Sequence, residues 1–188
     1  MSDYKTIHGV GIRDYTTDPD TLITGQVWFD KTNKVLQFQA AGAGAWASGG
    51  NMNTGREQTA GAGTQTAGLA FGGGYPAKTV TEKYNGSSWT EVNDLNTGRR
   101  STAGFGTQTA AIAAGGNDPY LAIVESFNGT SWTEVGDLNT GRASLKGVGT
   151  TPAGLVYGGF TPPQTGVTES WNGSSWTEVA DLNTARSS

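Results

Sequence analysis

The stretch Thr109-Ala110-Ala111-Ile112-Ala113-Ala114-Gly115-Gly116 decides the fold. It is a short apolar run that ends in a glycine pair, and the pairs Gly72-Gly73 and Gly158-Gly159 stand 43 residues before and after its own pair. Tryptophans recur at intervals of 43, 43 and 44 residues, and an arginine follows each of them by ten residues. Three independent markers with one period identify tandem repeats. The remaining markers are Trp46, Trp89, Trp132 and Trp176 with Arg56, Arg99, Arg142 and Arg186.

Each repeat has the pattern of a small antiparallel sheet. Four short β-rich runs follow one another without helical periodicity, and a repeat of 40 to 50 residues with glycine and tryptophan markers is typical of a β-propeller blade. The dipeptides Asn85-Gly86, Asn128-Gly129 and Asn172-Gly173 predict type I′ hairpin turns, which explain the apparent glycosylation sequons at these positions. We expect small residues of the first strand to lie at the crowded ring axis and the apolar second strand to pack against adjacent blades. The small residues are Ala103, Gly104 and Gly106.

Composition excludes several classes of protein. The chain of 188 residues carries a net charge of -4, has no cysteine and contains 30 glycines. No basic patch points to nucleic acid, and disulfides and thiolate metal sites are excluded. No apolar run approaches the roughly 20 residues that span a bilayer, and the polar N-terminus predicts no signal peptide.

The repeat resembles the kelch repeat of β-propellers. The resemblance rests on the glycine pair, on an aromatic residue and a tryptophan five residues apart, and on an arginine that opens the next unit, as in Gly115-Gly116, Phe127, Trp132 and Arg142. It covers residues 46–188 and implies an all-β fold with three full blades and the start of a fourth. Because propellers have typically four to eight blades, we expect an incomplete propeller, and either a longer protein or several chains that share a ring would complete it.

Residues 1–45 do not repeat and form a separate segment. Two β-like runs flank residues 30–34 and predict a hairpin, and Gly44-Ala45-Trp46-Ala47 aligns with the outermost strand of a blade, which it would supply to close a ring. The strings of residues 9–15 and 23–30 resemble the start of virion proteins of marine bacteriophages, which precedes kelch-like repeats in tail-fibre proteins. This resemblance implies that residues 1–45 attach the chain to other virion proteins and that the repeats face the host.

Candidate catalytic groups follow the repeat, whereas an active site has to break it. Copper oxidation on a kelch-type propeller needs histidine and cysteine ligands, and the chain offers only His8, expected at the surface. The repeated arginines suit donation to backbone carbonyls between blades better than a sialidase-like cluster. We therefore predict no catalytic residue, metal site or cofactor. Paired carboxylates would suggest glycosidase chemistry, but the repeated glutamates are expected on solvated strand faces: Glu82, Glu125 and Glu169, with Glu91, Glu134 and Glu178.

The repeats differ most in the loop that follows each glycine pair. In a four-stranded meander this loop shares a face with the arginine-bearing connection, so one face would present prolines, an aromatic residue per blade and a ring of guanidinium groups. Such loops suit recognition of sugars or proteins, and prolines that only stiffen a solvent-exposed loop are the alternative. The predicted binding residues are Tyr75, Lys78, Arg99, Asp118, Tyr120, Arg142, Phe160 and Gln164.

These observations together predict a non-enzymatic virion protein, such as a tail fibre or another receptor-binding component. It would sit on the phage particle and present the loop face to a protein or to a host surface glycan. Two alternatives stay open: a kelch-like protein–protein interaction module unrelated to a virion, and a fragment of a propeller enzyme whose catalytic residues lie outside this sequence.

Overall fold

The computed structural model describes residues 13–15, 27–38, 47–117 and 119–187. Over these ranges the chain contains strands, turns and irregular segments but no helix, which confirms the all-β prediction. The chain divides between Ser48 and Gly49 into two compact units. His8 and Gly44-Ala45-Trp46, for which a surface position and a ring-closing strand were predicted, lie outside the described residues.

The first unit contains a small sheet. Strand β1 (Arg13–Tyr15) pairs in parallel with β2 (Val27–Asp30), which pairs in antiparallel fashion with β3 (Val35–Phe38). The predicted hairpin is confirmed, and Asp30 organises its turn by accepting hydrogen bonds from the backbone N–H of Thr32 and Asn33 at 2.8 and 3.0 Å. The hydrogen bonds from Asn33 hold the pKa of Asp30 below its ordinary value.

The second unit consists of three four-stranded antiparallel sheets, each a meander in chain order, as expected for propeller blades. Blade 1 contains β4 (Ala60–Thr64), β5 (Ala67–Phe71), β6 (Thr81–Tyr84) and β7 (Trp89–Val92). Blade 2 contains β8 (Ala103–Thr107), β9 (Ala110–Ala114), β10 (Val124–Phe127) and β11 (Trp132–Glu134). Blade 3 contains β12 (Lys146–Thr150), β13 (Ala153–Tyr157), β14 (Thr168–Trp171) and β15 (Trp176–Val179).

The first strands of the blades lie side by side, with β8 in contact with β4 and β12. This proximity requires small residues, because a Cβ atom on Gly104 would lie 2.7 Å from the backbone oxygen of Gly61. Ala103 is likewise buried against the next blade, so the expectation of small residues at the crowded strand is confirmed for these two positions. At Gly106 glycine is also required locally, because its φ is +108° and a Cβ atom would meet the backbone of Ala110 in the same hairpin.

The apolar second strands form the core between the blades. Alternate residues of β9 point to opposite neighbours, so Ala111 and Ala113 pack with blade 1 while Ile112 and Ala114 pack with blade 3. Two hydrophobic clusters result, one at each boundary between blades. Burial of the second strand against adjacent blades is confirmed for blades 1 and 2, but Leu155 of blade 3 is 38% exposed.

The Asn-Gly hairpins differ from the predicted type I′ turns. Tyr84 pairs directly with Trp89, so the loop has four residues, and only its glycine, Gly86, has a positive φ. The side-chain oxygen of Asn85 accepts the backbone N–H groups of Ser87 and Ser88 at 3.0 and 2.9 Å. The asparagine side chain therefore replaces backbone pairing within the turn. The loops that begin at Asn128 and Asn172 are built in the same way.

Candidate functional site

The repeated arginines and half of the repeated glutamates form buried ion pairs. Arg99 Nη2 lies 3.0 Å from Glu125 Oε1, and both side chains are fully buried. Arg99 also donates hydrogen bonds to the backbone oxygens of Ile123 and Ala113. The prediction that arginines donate to backbone carbonyls is thus confirmed for Arg99, although a carboxylate is its additional partner. The equivalent pairs are Arg56–Glu82 and Arg142–Glu169, each at 2.5 Å.

Two expectations about these residues are therefore wrong. Arg99 and Arg142 do not contribute to an exposed ring of guanidinium groups, because the connection between blades folds each arginine inward over the third strand of the next blade. Glu82, Glu125 and Glu169 are buried rather than solvated, since the arginine and the backbone N–H groups replace their water. The prediction of solvated faces holds for the other three glutamates, Glu91, Glu134 and Glu178.

An asparagine completes each buried carboxylate. Asn96 donates both its backbone N–H and its side-chain amide to Glu125 Oε2 at 2.8 Å, and the backbone N–H of Thr97 donates to Oε1 at 3.3 Å. Glu169 receives the same two bonds from Asn139. The sequence carried this signal in the recurrence of Asn-Thr-x-Arg in register with the arginines, at 53–56, 96–99, 139–142 and 183–186.

The pKa of Glu82 agrees with a charged carboxylate in its pair with Arg56. Burial acts to raise the pKa of Glu82, but hydrogen bonds from Asn53, Arg56 and Thr54 outweigh it and lower the pKa below its ordinary value. Burial lowers the pKa of Arg99, against the attraction of Glu125 and of more distant carboxylates. Arginine nevertheless keeps its proton in proteins, so Arg99 stays positively charged beside Glu125.

Two of the three aromatic residues of the variable loops, Tyr75 and Tyr120, lie exposed as predicted, whereas Phe160 is half-buried. Tyr75 is 75% exposed, and the guanidinium carbon of Arg100 lies 4.8 Å from the centroid of its ring. Tyr120 is 38% exposed and contacts Phe160 edge to face, with ring centroids 5.8 Å apart. The backbone bridges Arg100↔Asn117 and Ala143↔Phe160 place the connections between blades beside these loops. We call this surface, defined by Tyr75, Arg100, Tyr120 and Phe160, the loop face.

The remaining predicted residues take different positions. Lys78 is half-buried beneath the first loop, where its carbon chain packs on Gly74. Gln164 is exposed and donates from Nε2 to Ser187 Oγ at 3.1 Å. Asp118 lies outside the described residues. Sequence reasoning missed Arg100. The dipeptide Arg99-Arg100 indicates it, because the side chain that follows a buried arginine in an extended segment points outward.

A polar depression of about 240 Å³ lies where the connections meet the first strands. Gln58, Ser101 and Ser144 occupy equivalent positions in the three blades, and their φ values of +54°, +53° and +54° are uncommon for residues with a side chain. Backbone bonds join them in series, from Ser101 N to Gln58 O and from Ser144 N to Ser101 O. Thr102 is 9% exposed, and its hydroxyl has no hydrogen-bond partner within the described ranges. The lining residues are Gln58, Thr59, Ser101, Thr102, Ser144, Leu145 and Lys146.

The loop face and this depression offer hydrogen-bonding and stacking chemistry. Arg100 connects them, because the guanidinium group that lies over Tyr75 also donates to Gln58 Oε1 at 3.4 Å. Over the described ranges, no three histidine, cysteine or acidic side chains lie close enough to hold a metal ion. In the same part of the chain, no helix is long and apolar enough to cross a membrane.

No protein-family model matches this chain, and no curated protein sequence matches it either.

Proposed function

We propose that the chain is a non-catalytic recognition module of a bacteriophage virion fibre, attached through residues 1–45, with kelch-like blades that bind a ligand on the loop face. The observation that carries the binding proposal is the Tyr75–Arg100 stack beside the polar depression. An exposed aromatic ring with a cation on it, next to hydroxyl and amide groups, is suited to a ligand that has both apolar faces and polar edges.

The ligand class that fits this surface best is a carbohydrate. The ring of Tyr75 is accessible for stacking against the C–H face of a sugar, while Gln58 and Thr102 provide hydrogen-bonding groups in the depression. A host surface glycan would meet both requirements. The loops that carry the aromatic residues differ between blades, so the three blades would contribute different contacts to one ligand.

Glycan binding is tested on the full chain with a panel of immobilised bacterial surface polysaccharides. We expect Tyr75→Ala and Arg100→Ala to weaken binding of the same polysaccharide by roughly tenfold each, as typical recognition residues do. Ser87→Ala in an Asn-Gly loop at the opposite end of blade 1 is the matched control and should leave binding unchanged. Binding that is equal in all four proteins would contradict the loop-face proposal.

The virion part of the proposal is supported by the resemblance of residues 9–15 and 23–30 to phage virion proteins, and it has its own test. Labelling of purified particles with an antibody against the blades should locate the chain on a fibre at the particle surface. A chain that is found free in the lysate and not on particles would contradict attachment while leaving glycan binding intact.

A further inference from the structure

One face of blade 3 carries several exposed apolar side chains beside the exposed Lys146. Blade 2 packs one of its two faces on blade 3, and we call this face, and the equivalent face of every blade, the trailing face. In blade 3 this face carries Val148, Leu155 and Val179, which are 53%, 38% and 41% exposed. The equivalent residues Phe105 and Ile112 of blade 2 are 4% and 1% exposed. The pairing of the first two strands has the same register in blades 2 and 3, so the difference in exposure comes from the neighbouring blade that covers blade 2.

The boundary between blades 1 and 2 shows what such a face binds. Phe71 of blade 1 meets Trp132 of blade 2 edge to face, with ring centroids 4.8 Å apart. The indole N–H of Trp132 donates to Thr81 Oγ1 at 3.1 Å. Thr81 accepts this bond through a lone pair of its hydroxyl oxygen, and the same hydroxyl donates to the backbone oxygen of Thr79 at 3.5 Å.

Blade 3 contains an equivalent threonine hydroxyl that can accept an indole hydrogen bond. Thr168 occupies the position of Thr81, is 7% exposed, and donates from Oγ1 to the backbone oxygen of Gly166 at 3.3 Å. The half-buried ring of Tyr157 stands where Phe71 stands in blade 1. Beside them, a depression of about 380 Å³ opens between Val148, Leu155 and Trp171.

The connection that follows β15 already has the conformation of a connection between two blades. The N–H of Gly159 donates to the backbone oxygen of Arg186 at 2.8 Å, as Gly73 does to Arg99 at 2.9 Å. Arg186 and Asn183 are nevertheless exposed, whereas Arg99 is fully buried on Glu125. Within the described part of the chain, no glutamate occupies the corresponding place beside Arg186.

We propose that the trailing face of blade 3, together with Asn183 and Arg186, is the docking surface for a further blade of this same repeat whose third-strand glutamate is free. The incoming glutamate would accept from Asn183 and Arg186, and the incoming tryptophan would contact Tyr157 and donate to Thr168. Continuity with the two existing boundaries between blades carries the proposal. Blade 1 of a second copy of this chain does not meet the requirement, because its Glu82 is already bound by Asn53 and Arg56.

The test extends the full chain by one repeat. A copy of residues 100–142 is placed directly after Arg186, and amide hydrogen exchange is measured in the original and the extended chains. We expect exchange in β13 (Ala153–Tyr157) to slow by roughly tenfold or more on extension. Arg186→Ala should abolish most of this protection in the extended chain and change nothing in the original one.

The control extension carries alanine in place of both the glutamate and the tryptophan of the copied repeat, and it should give no protection. Equal protection of β13 by the intact and the control extensions would overturn the proposal, since any added residues would then shield this strand. Unchanged exchange on extension would overturn it as well. A concentration-dependent dimer of the original chain that protects β13 would identify a second copy as the occupant and would also overturn it.

Discussion

Blades 2 and 3 share one strand plan, yet they differ in what covers them. Blade 2 has neighbours on both faces, so Phe105, Ile112 and Ala113 are all nearly inaccessible. Among the described residues, blade 3 has a neighbouring blade on one face, and Val148 and Leu155 at positions equivalent to Phe105 and Ile112 are exposed. The difference teaches that a blade of this repeat does not contain its own core, because the core lies between blades and each blade supplies half of it.

The largest effect should separate the buried arginines from the exposed one. Arg142→Ala leaves Glu169 buried without its counter-ion, so we expect the free energy of unfolding to fall by about 3–5 kcal/mol. Arg186→Ala, at the equivalent position after blade 3, should change it by less than about 0.5 kcal/mol, because this side chain is exposed. Urea unfolding of both variants checks the comparison, and equal losses would show that the ion pair is not what stabilises the connection.

A smaller effect is expected where the same residue stands in both environments. Leu69 and Leu155 occupy equivalent positions in β5 and β13, but they are 2% and 38% exposed. Leu69→Ala should cost about 2–4 kcal/mol, since it opens a cavity between blades 1 and 2. Leu155→Ala should cost less than about 1 kcal/mol, since water already reaches this side chain. Similar losses in thermal or urea unfolding would mean that blade 3 is covered in solution.

The comparison also indicates which features a sequence of this kind can predict. The period, the number of strands and the small residues at Ala103 and Gly104 follow from local patterns, because each depends on residues within one hairpin or one repeat. Burial of Glu125 does not follow in this way, since it depends on Asn96 and Arg99, which are more than 20 residues away along the chain. Charged residues alone predict a solvated surface, and only the pairing of two repeated motifs indicates an internal ion pair.

The turns and the candidate site show the same limit at a smaller scale. The Asn-Gly dipeptide predicted a hairpin correctly but gave the wrong turn, because the side chain of Asn85 competes with the backbone for the N–H groups of Ser87 and Ser88. The exposed loop aromatics could be predicted from the differences between repeats. The contact of Arg100 with Tyr75 could not, since it joins residues of two different connections.

A third prediction uses a position at which the two boundaries between blades differ. Trp132 donates its indole N–H to Thr81, whereas the indole N–H of Trp176 has no partner among the described residues, because Val124 stands in the position of Thr81. Val124→Thr should therefore stabilise the chain by about 0.5–1.5 kcal/mol, the net value of one hydrogen bond. The new hydroxyl can donate to the backbone oxygen of Ala122, as Thr81 donates to that of Thr79.

This expected gain runs against the usual loss when a buried valine is replaced by threonine. The reverse change in the first boundary, Thr81→Val, is the matched control and should destabilise, since it leaves the indole of Trp132 without an acceptor. Urea unfolding measures both variants. Destabilisation by both substitutions would show that the indole of Trp176 is not placed to use the hydroxyl.

The smallest expected effect is a change in how stability depends on pH, and it concerns the connection into blade 1. The pKa of Glu82 lies below its ordinary value in the folded chain, so the folded state binds fewer protons than the unfolded state as pH falls from about 4.5. The stabilisation from this carboxylate is therefore complete above the unfolded pKa and is lost as pH falls through the folded pKa.

Glu82→Gln should lower stability at neutral pH and flatten the acid limb of a plot of unfolding midpoint against pH. Glu91→Gln is the control, because Glu91 lies opposite Glu82 on β7 but is exposed. If both variants keep the acid limb of the parent chain, the buried carboxylate is not the group that couples the blades to pH.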